Sequence, residues 1–324
     1  MTAERAARRT AGDEAPVRTV FFGSGAFAVP ILDAAIGVPE IDVVAVVSVP
    51  DRPVGRRAVV LQSPVATRAR HLGMPLLQPE RLRSDDAASA IADMRPEFGL
   101  LADYGRIVPR AILELPPHGI LNVHPSPLPR HRGAAPITAT ILAGDESTAV
   151  VLILMDEGLD TGPIVAGTAT DVLPTERAPE LEARLARLGA DLVRRSVRRW
   201  LRGEIEAQPQ PTDGVTLTHP LRREDGRLDP TRPAEHLERQ VRAFDPWPGT
   251  WLDTPAGRIA VRRAHVEEDV PQATPGRFGP GPDLRIGTAD GWLVLDEVQP
   301  AGGRPMSGAA LLRGRPSLAS SGIA

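Results

Sequence analysis

The sequence of 324 residues contains neither cysteine nor lysine, and each absence excludes a class of chemistry. Without cysteine, the chain has no disulfide framework and no thiolate metal site. Without lysine, it has no Schiff-base chemistry and no Walker-type phosphate lysine. All 38 basic residues are therefore arginine, and the 41 acidic residues leave a net charge of −3. This charge gives no overall attraction to nucleic acid, so a nucleic-acid partner would require a local patch of arginines.

Long apolar runs are also missing. No stretch of about 18 apolar residues occurs, so the sequence predicts no membrane-spanning segment. The chain is longer than a single hydrophobic core usually supports, which predicts two domains. The proposed division is a disordered tail over residues 1–16, a first domain over 17–202, a linker over 203–217 and a second domain over 218–324.

The first domain begins with a strand, a glycine-rich turn, a helix and a second strand. The strands are predicted at Val17–Phe22 and Ile41–Val49, and the turn covers residues 23–28. This order is typical of a βαβ unit, and it predicts an α/β domain with a Rossmann-like parallel sheet. The turn also matches the dinucleotide fingerprint, with Asp51 as the acid for a ribose, so nicotinamide binding is an alternative function.

The segments after the linker have a different pattern. Short alternating runs at 258–266, 284–288 and 292–298 are broken by Gly, Pro and Asp, which predicts a small β-barrel. The long helix predicted at 179–203 carries a single apolar face, as expected for a helix that packs against a domain core.

Two polar side chains stand at the end of a predicted strand in the first domain. Asn122 is the only asparagine in the chain, and His124 follows it by two residues, so a strand directs both to one face. The prolines at 125, 127 and 129 end the strand in a stiff loop. A carboxamide beside an imidazole is a donor pair suited to a developing oxyanion. A buried histidine bonded to a neighbour is the alternative interpretation.

A second strand end supplies a carboxylate. The apolar run Val150–Met155 is followed by a turn that contains Asp160 and ends at Gly162. Because open α/β sheets keep their chemistry at the carboxyl ends of neighbouring strands, we expect Asn122, His124 and Asp160 to converge there.

Three segments resemble a known signature when they are taken together. They are Asn122-x-His124, Leu128-Pro129-x-x-Arg132-Gly133-Ala134-Ala135-Pro136 and Met155-Asp156-x-Gly158-Leu159-Asp160-Thr161-Gly162. They look like the signature of the formyltransferases that use 10-formyltetrahydrofolate. Within that family the chain resembles the members that act on methionyl initiator tRNA, and the similarity extends from about Val17 to Leu312.

The resemblance implies an activity and a setting. It implies a cytoplasmic, monomeric transferase that moves the formyl group of 10-formyltetrahydrofolate to the amino group of methionyl initiator tRNA for translation initiation. It also implies an OB-like second domain that binds tRNA, and a reaction that needs no metal and no membrane. Two other functions stay open: formyl transfer to another amine, such as a sugar nucleotide, or folate binding without turnover.

The resemblance also assigns roles to residues. Asn122 and protonated His124 would donate to the oxyanion, while Asp160 would orient His124 and accept the amine proton through water. The folate would be bound by Tyr104, Gly105, Ser126, Pro127, Leu128, Pro129 and Asp156. The acceptor end of the tRNA would be held by Arg52, Arg56 and Arg57 in a loop stiffened by proline. Simple packing is the alternative role for Tyr104, and solvation is the alternative for the arginines.

Overall fold

A computed structural model describes residues 15–54, 59–255, 257–267 and 273–323. Contacts within the chain divide it into two compact units. The first contains the chain up to Pro136 together with Ser147–Thr170 and Glu182–Thr218, and the second contains Ile137–Glu146, Asp171–Leu181 and the chain from His219. Residues 203–217, which the sequence suggested as a linker, thus belong to the first unit. Most of the predicted N-terminal tail lies outside the described residues.

The first part of the chain alternates strands and helices. The strands are β1 (Val17–Gly23), β2 (Ile41–Val47), β3 (Arg52–Val54), β4 (Val59–Leu61), β5 (Leu76–Leu77), β6 (Phe98–Ala102), β7 (Ile120–His124), β8 (Arg132–Gly133), β9 (Ser147–Leu154), β10 (Ile164–Asp171) and β11 (Leu217–Thr218). The helices are α1 (Ala28–Ile36), α2 (Pro64–His71), α3 (Asp85–Ala92), α4 (Arg110–Leu113), α5 (Pro136–Ala143) and α6 (Ala178–Leu201).

The main sheet of the first unit has the strand order β10-β9-β7-β6-β1-β2-β5. Strands β5, β2, β1, β6 and β7 are parallel, as a Rossmann-like α/β fold requires, and this fold class is confirmed. The sheet is not parallel throughout, because β9 pairs antiparallel with β7. The reason is that β9 begins beside the carboxyl end of β7, with Val151 opposite His124. The connection between these two strands therefore does not have to cross to the far end of the sheet.

Burial explains why the central strands read as continuous apolar runs. In β1, Val20, Phe21 and Phe22 are each at most 1% exposed, as expected for a parallel strand covered on both faces. Helix α6 instead buries only one stripe, which includes Leu181, Leu185 and Val197. None of the described helices, α6 included, is both long and apolar enough to cross a membrane.

The second unit is an antiparallel half-barrel with its own core. Its strands are β12 (Thr250–Thr254), β13 (Gly257–Glu267), β14 (Arg285–Gly287), β15 (Trp292–Pro300) and β16 (Met306–Ser307), and α7 (Ala234–Ala243) and α8 (Gly308–Gly314) are among its helices. The strand order is β12-β13-β15-β14, and β16 pairs with β15. Leu237 of α7 packs into the same buried cluster as Ile259 of β13 and Leu293 of β15. This unit is the predicted OB-like domain.

Candidate active site

Strand β7 places Asn122 and His124 side by side within the first unit. Both are buried, with 7% and 4% of their surfaces exposed. The amide nitrogen of Asn122 donates to Oδ1 of Asp160 over 3.2 Å. The same carboxylate oxygen lies 3.7 Å from Nδ1 of His124, too far for a hydrogen bond but close enough for a charge interaction whenever the ring is protonated. The structure therefore brings together the three residues that the sequence singled out.

Asp160 reaches this pair by a different route from the one expected. Because β9 is antiparallel to β7, its last residue, Leu154, lies opposite Leu121 near the start of β7. The prediction that all three residues meet at one carboxyl edge is thus wrong for Asp160. The loop that carries Asp160 begins beside the amino end of β7 and returns along that strand to reach Asn122 and His124. Asp160 itself has a φ of 52°, a left-handed conformation that aspartate tolerates better than most residues.

Gly133 completes the setting of the carboxylate. Its backbone N–H donates to Oδ2 of Asp160 over 2.8 Å. Gly133 has a φ of 113°, and a Cβ there would lie 2.3 Å from the backbone oxygen of Thr218, so only glycine fits. Both carboxylate oxygens of Asp160 thus have donors, one from β7 and one from β8.

The protonation state of His124 follows from its surroundings. Nε2 lies 3.1 Å from the backbone oxygen of His131, a group that can only accept, so Nε2 carries a proton and donates it. Nδ1 is then the nitrogen that faces Asp160. Burial lowers the pKa of His124 from its ordinary value, while the charge of Asp160 and the His131 carbonyl act in the opposite direction. The ring is therefore uncharged at neutral pH, and its Nδ1 is ready to accept a proton.

All of the residues predicted to bind folate except Asp156 lie in loops after the adjacent parallel strands β6 and β7. Gly105 follows β6, has a φ of 73°, and would place a Cβ in open space. The side chain of Tyr104 is buried in the core, where its ring meets that of Phe22 edge-on at 5.8 Å. Burial raises the pKa of Tyr104 to about 12. The ring of Tyr104 therefore packs in the core.

The proline-rich loop after β7 has a fixed shape. Ser126 is buried, and its hydroxyl donates to the backbone oxygen of Arg130. The Leu128–Pro129 peptide bond is cis, both of its residues are buried, and Pro127 is half-buried. Asp156, in the other loop, is exposed and accepts hydrogen bonds from Gly158 N and Thr161 Oγ1. The folate-binding roles of all these residues remain predictions.

The arginine loop is described only in part. Arg52 lies in β3 and is exposed, and β3 pairs antiparallel with β4 to form a hairpin. Arg56 and Arg57 lie outside the described residues, so their predicted contacts with tRNA remain predictions.

The glycine turn after β1 does not present the donors that a pyrophosphate needs. The N–H groups of Ser24 and Gly25 both donate to the backbone oxygen of Asp103. The N–H of Phe27 is hydrogen-bonded to the carboxylate of Glu182, and Asp51 is tied to Arg70 and Gln78. With these groups engaged and carboxylates beside the turn, the structure argues against nicotinamide binding. Among the described residues, no group of three or more His, Asp or Glu side chains is placed to hold a metal ion.

Contacts from residues 203–218 to the catalytic loop could not be inferred from the sequence. Strand β11 pairs with β8, and Thr216 Oγ1 accepts from His131 N over 2.8 Å. Thr218 Oγ1 accepts from Ala135 N and donates to the backbone oxygen of Arg132. The two threonines alternate with apolar residues, as in a half-buried strand, and this pattern is the only sequence signal for these contacts. The segment looked like a linker because of its prolines.

Comparison with known proteins gives the same assignment over both units. The family described as "Formyl transferase" matches residues 17–197, and "Formyl transferase, C-terminal domain" matches residues 220–316. Methionyl-tRNA formyltransferase of Chloroflexus aurantiacus is 43% identical over 302 residues, which is 92% of this chain and 97% of that protein. The Thermus thermophilus protein of the same name is 42% identical over 92% of this chain and 96% of its own length.

Solved structures show the same fold at low identity. An N-formyltransferase from Helicobacter canadensis, in complex with folinic acid and dTDP-3-aminofucose, has a TM-score of 0.64 at 16% identity. It covers 86% of this chain and 98% of its own. Glycinamide ribonucleotide transformylase 1 from Symbiobacterium toebii has a TM-score of 0.51 at 21% identity, over 60% of this chain and 96% of that one. With both family domains matched and relatives above 40% identity along nearly the whole chain, the chain belongs to the formyltransferase family, in the group of methionyl-tRNA formyltransferases.

Proposed function

We infer that the chain transfers the formyl group of 10-formyltetrahydrofolate to the amino group of methionyl initiator tRNA. The observation that carries this function is the buried cluster of Asn122, His124 and Asp160, set in a chain that is 43% identical over 302 residues to a methionyl-tRNA formyltransferase. The chain is a one-carbon transferase, and its product serves translation initiation. We place it in the cytoplasm and as a monomer, in keeping with the resemblance of its sequence.

The amino nitrogen attacks the formyl carbon, and the carbonyl oxygen becomes an oxyanion. Asn122 lies in the middle of β7, and the amide proton that it does not give to Asp160 donates to that oxygen. A preorganised donor in a buried site stabilises the developing charge more than water does, because it needs no reorientation.

His124 moves the proton. Its uncharged Nδ1 accepts a proton from the attacking nitrogen, which would otherwise carry a positive charge. The imidazolium then lies next to the oxyanion and strengthens its stabilisation. When the bond between the formyl carbon and N10 of the folate breaks, His124 returns the proton to N10. Atoms and charges balance, and His124 ends as it began.

Asp160 stabilises the charged form of His124 through the transfer. Its Oδ1 is 3.7 Å from Nδ1, so the carboxylate favours the imidazolium at the moment it forms. The donors from Asn122 and Gly133 hold the carboxylate in this orientation. This division of roles refines the expectation that His124 is charged from the start.

The loops near the cluster fit a flat folate. Gly105 and the loop at 125–129 follow the parallel neighbours β6 and β7, so both loops lie at one edge of the sheet. The backbone at Gly105 is open to close approach because no atom lies within 4 Å of a Cβ placed there. Arg52, Arg56 and Arg57 supply the phosphate contacts that the net charge of the chain does not.

A formyl-transfer assay with purified chain and 10-formyltetrahydrofolate tests this function. The acceptors are methionyl initiator tRNA, uncharged initiator tRNA, free methionine and an amino-sugar nucleotide. We expect N-formylmethionyl-tRNA with the first acceptor alone. Transfer to the sugar nucleotide but not to the charged tRNA would assign the chain to another acceptor. Folate binding without transfer to any amine would show a degenerate relative.

A further inference from the structure

Gln210 makes a set of contacts that the reaction described above does not use. Its Nε2 donates to the backbone oxygen of Asp160 over 2.8 Å and to that of Gly162 over 2.7 Å. Its Oε1 accepts from Nε and Nη2 of Arg132 over 3.1 Å and 2.7 Å. The orientation of the amide is unambiguous, because carbonyls can only accept and a guanidinium can only donate.

These contacts saturate the amide. Both protons and both lone pairs of the Gln210 side chain are engaged, which is unusual for a residue in a proline-rich surface segment. The two carbonyls belong to the loop after β9 and the guanidinium belongs to β8, so one side chain joins the two segments that meet at the carboxylate of Asp160. The N–H of Gly133, next to Arg132, is the donor to that carboxylate.

The loop needs this restraint because its conformation is not the lowest in energy. Asp160 has a positive φ, a conformation that a residue other than glycine keeps only when its surroundings enforce it. A hydrogen bond to the carbonyl of Asp160 itself fixes the peptide group that follows the strained residue.

We propose that Gln210 is a positioning residue for formyl transfer, which holds Asp160 in register with His124 by joining the β9 loop to Arg132 of β8. It touches no reacting atom and acts through Asp160. The hydrogen bonds of Gln210 thereby maintain the distance of 3.7 Å between Oδ1 of Asp160 and Nδ1 of His124. The proposal rests on the proposed function for its kinetic test and on the structure alone for its second test.

Two variants of the full chain separate the roles of the amide. Gln210→Met keeps the length of the side chain and removes every hydrogen bond. Gln210→Glu keeps an acceptor for Arg132 but replaces both donors to Asp160 and Gly162 with oxygen. Gln208→Met is the matched control, because Gln208 lies two residues earlier in the same segment and its side chain is exposed.

The first measurement is steady-state formyl transfer to methionyl initiator tRNA. We expect both Gln210 variants to lower kcat by about 10- to 100-fold while the Michaelis constants change by less than about threefold, because the lost interaction matters in the transition state. The Gln208 variant should match the parent.

The second measurement needs no activity: amide hydrogen exchange at Gly133, whose N–H is protected by Asp160. We expect exchange at least about tenfold faster in both Gln210 variants, because the carboxylate is no longer held. Gly99 N–H, which donates to the backbone oxygen of Gly119 in the sheet, should be unchanged and so serves as the internal control.

The outcomes are distinct. A loss of kcat with unchanged exchange at Gly133, or faster exchange with unchanged kcat, overturns the proposal. If Gln210→Met does not fold, the kcat and the Gly133 exchange rate of Gln210→Glu decide between these outcomes. If the parent chain formylates no methionyl-tRNA, the proposed function fails, and the exchange at Gly133 still shows whether Gln210 positions Asp160.

Discussion

The backbone N–H of Gly133 donates a hydrogen bond of 2.8 Å to the carboxylate of Asp160, which fixes the second oxygen of that group while Asn122 holds the first. The two residues are 27 positions apart, Gly133 in β8 and Asp160 in the loop after β9. Their contact explains why a glycine precedes the Ala-Ala-Pro segment. Only a residue without Cβ allows β8 to approach β11 at Thr218 and still direct its N–H at Asp160.

Gly133→Ala should therefore damage both stability and catalysis. The added Cβ would lie 2.3 Å from the backbone oxygen of Thr218, and φ is positive at this position, so the strand must shift. We expect a loss of about 1–3 kcal/mol in the free energy of unfolding and a kcat at least about tenfold lower. Urea unfolding and a formyl-transfer assay measure the two quantities. Gly314→Ala, which meets no atom within 4 Å, is the control. A Gly133 variant that behaves like the control would show that the close approach is unimportant.

The pH dependence of turnover should reflect an uncharged His124. Burial lowers its pKa below the ordinary value, so the neutral form that accepts the proton is lost only when pH falls through that lowered pKa. We expect kcat with methionyl-tRNA to be steady above about pH 7 and to decrease on the acid side. Single-turnover rates between about pH 5 and pH 8 test this. A rate that instead falls as pH rises from about 6 to 8 would require a charged His124 in the resting enzyme.

Asp103 should make stability depend on pH in a recognisable way. Its carboxylate packs against Gly25 and faces Glu182, and burial followed by the charge of Glu182 raises its pKa to about 7. Since a raised pKa favours the protonated form, its contribution to stability is present at low pH and is lost as pH rises through about 7.

The variant Asp103→Asn removes this titration. Relative to the parent, its free energy of unfolding should increase from about pH 4 to pH 7 and then stay level. Urea unfolding at about pH 5 and pH 8 measures the difference, and a larger gain at pH 5 would contradict the assigned cause.

Sequence alone was sufficient for the βαβ start, the apolar central strands and the shared face of Asn122 and His124. These follow from local periodicity, which neighbouring residues decide. The direction of β9 could not be read in this way, because an apolar run such as Val150–Met155 suits a parallel or an antiparallel neighbour equally well. The route by which Asp160 reaches the site was mispredicted for that reason.

The segment at 203–218 shows a second limit. Its prolines suggest a linker, and nothing local reveals that Thr216 and Thr218 hydrogen-bond to a loop more than 80 residues earlier. Tyr104 shows a third limit. The sequence leaves packing and a folate contact equally open for this residue, and only the structure shows that a core which includes Phe22 and Ile120 encloses its ring.

Arg56 should distinguish tRNA from small acceptors. The chain has a net charge of −3, so phosphate contacts must come from local arginines such as those between β3 and β4. Arg56→Ala should raise the Michaelis constant for methionyl-tRNA and leave that for the folate nearly unchanged. It should also reduce the log–log salt dependence of tRNA affinity by about one unit, the equivalent of one phosphate contact. Filter binding and kinetics at two salt concentrations measure these effects. An unaltered tRNA constant and salt slope would remove Arg56 from the tRNA interface.

The rate of the chemical step in variants of the buried cluster tests the central claim most directly. Single-turnover formyl transfer from 10-formyltetrahydrofolate to methionyl initiator tRNA should be compared for the parent chain and for Asn122→Ala, His124→Ala and Asp160→Ala, each shown to be folded by its unfolding curve. If these groups stabilise the oxyanion and move the proton, each variant should lose at least about 10²-fold in rate. A folded Asp160→Ala or His124→Ala protein that reacts within about tenfold of the parent would contradict the mechanism.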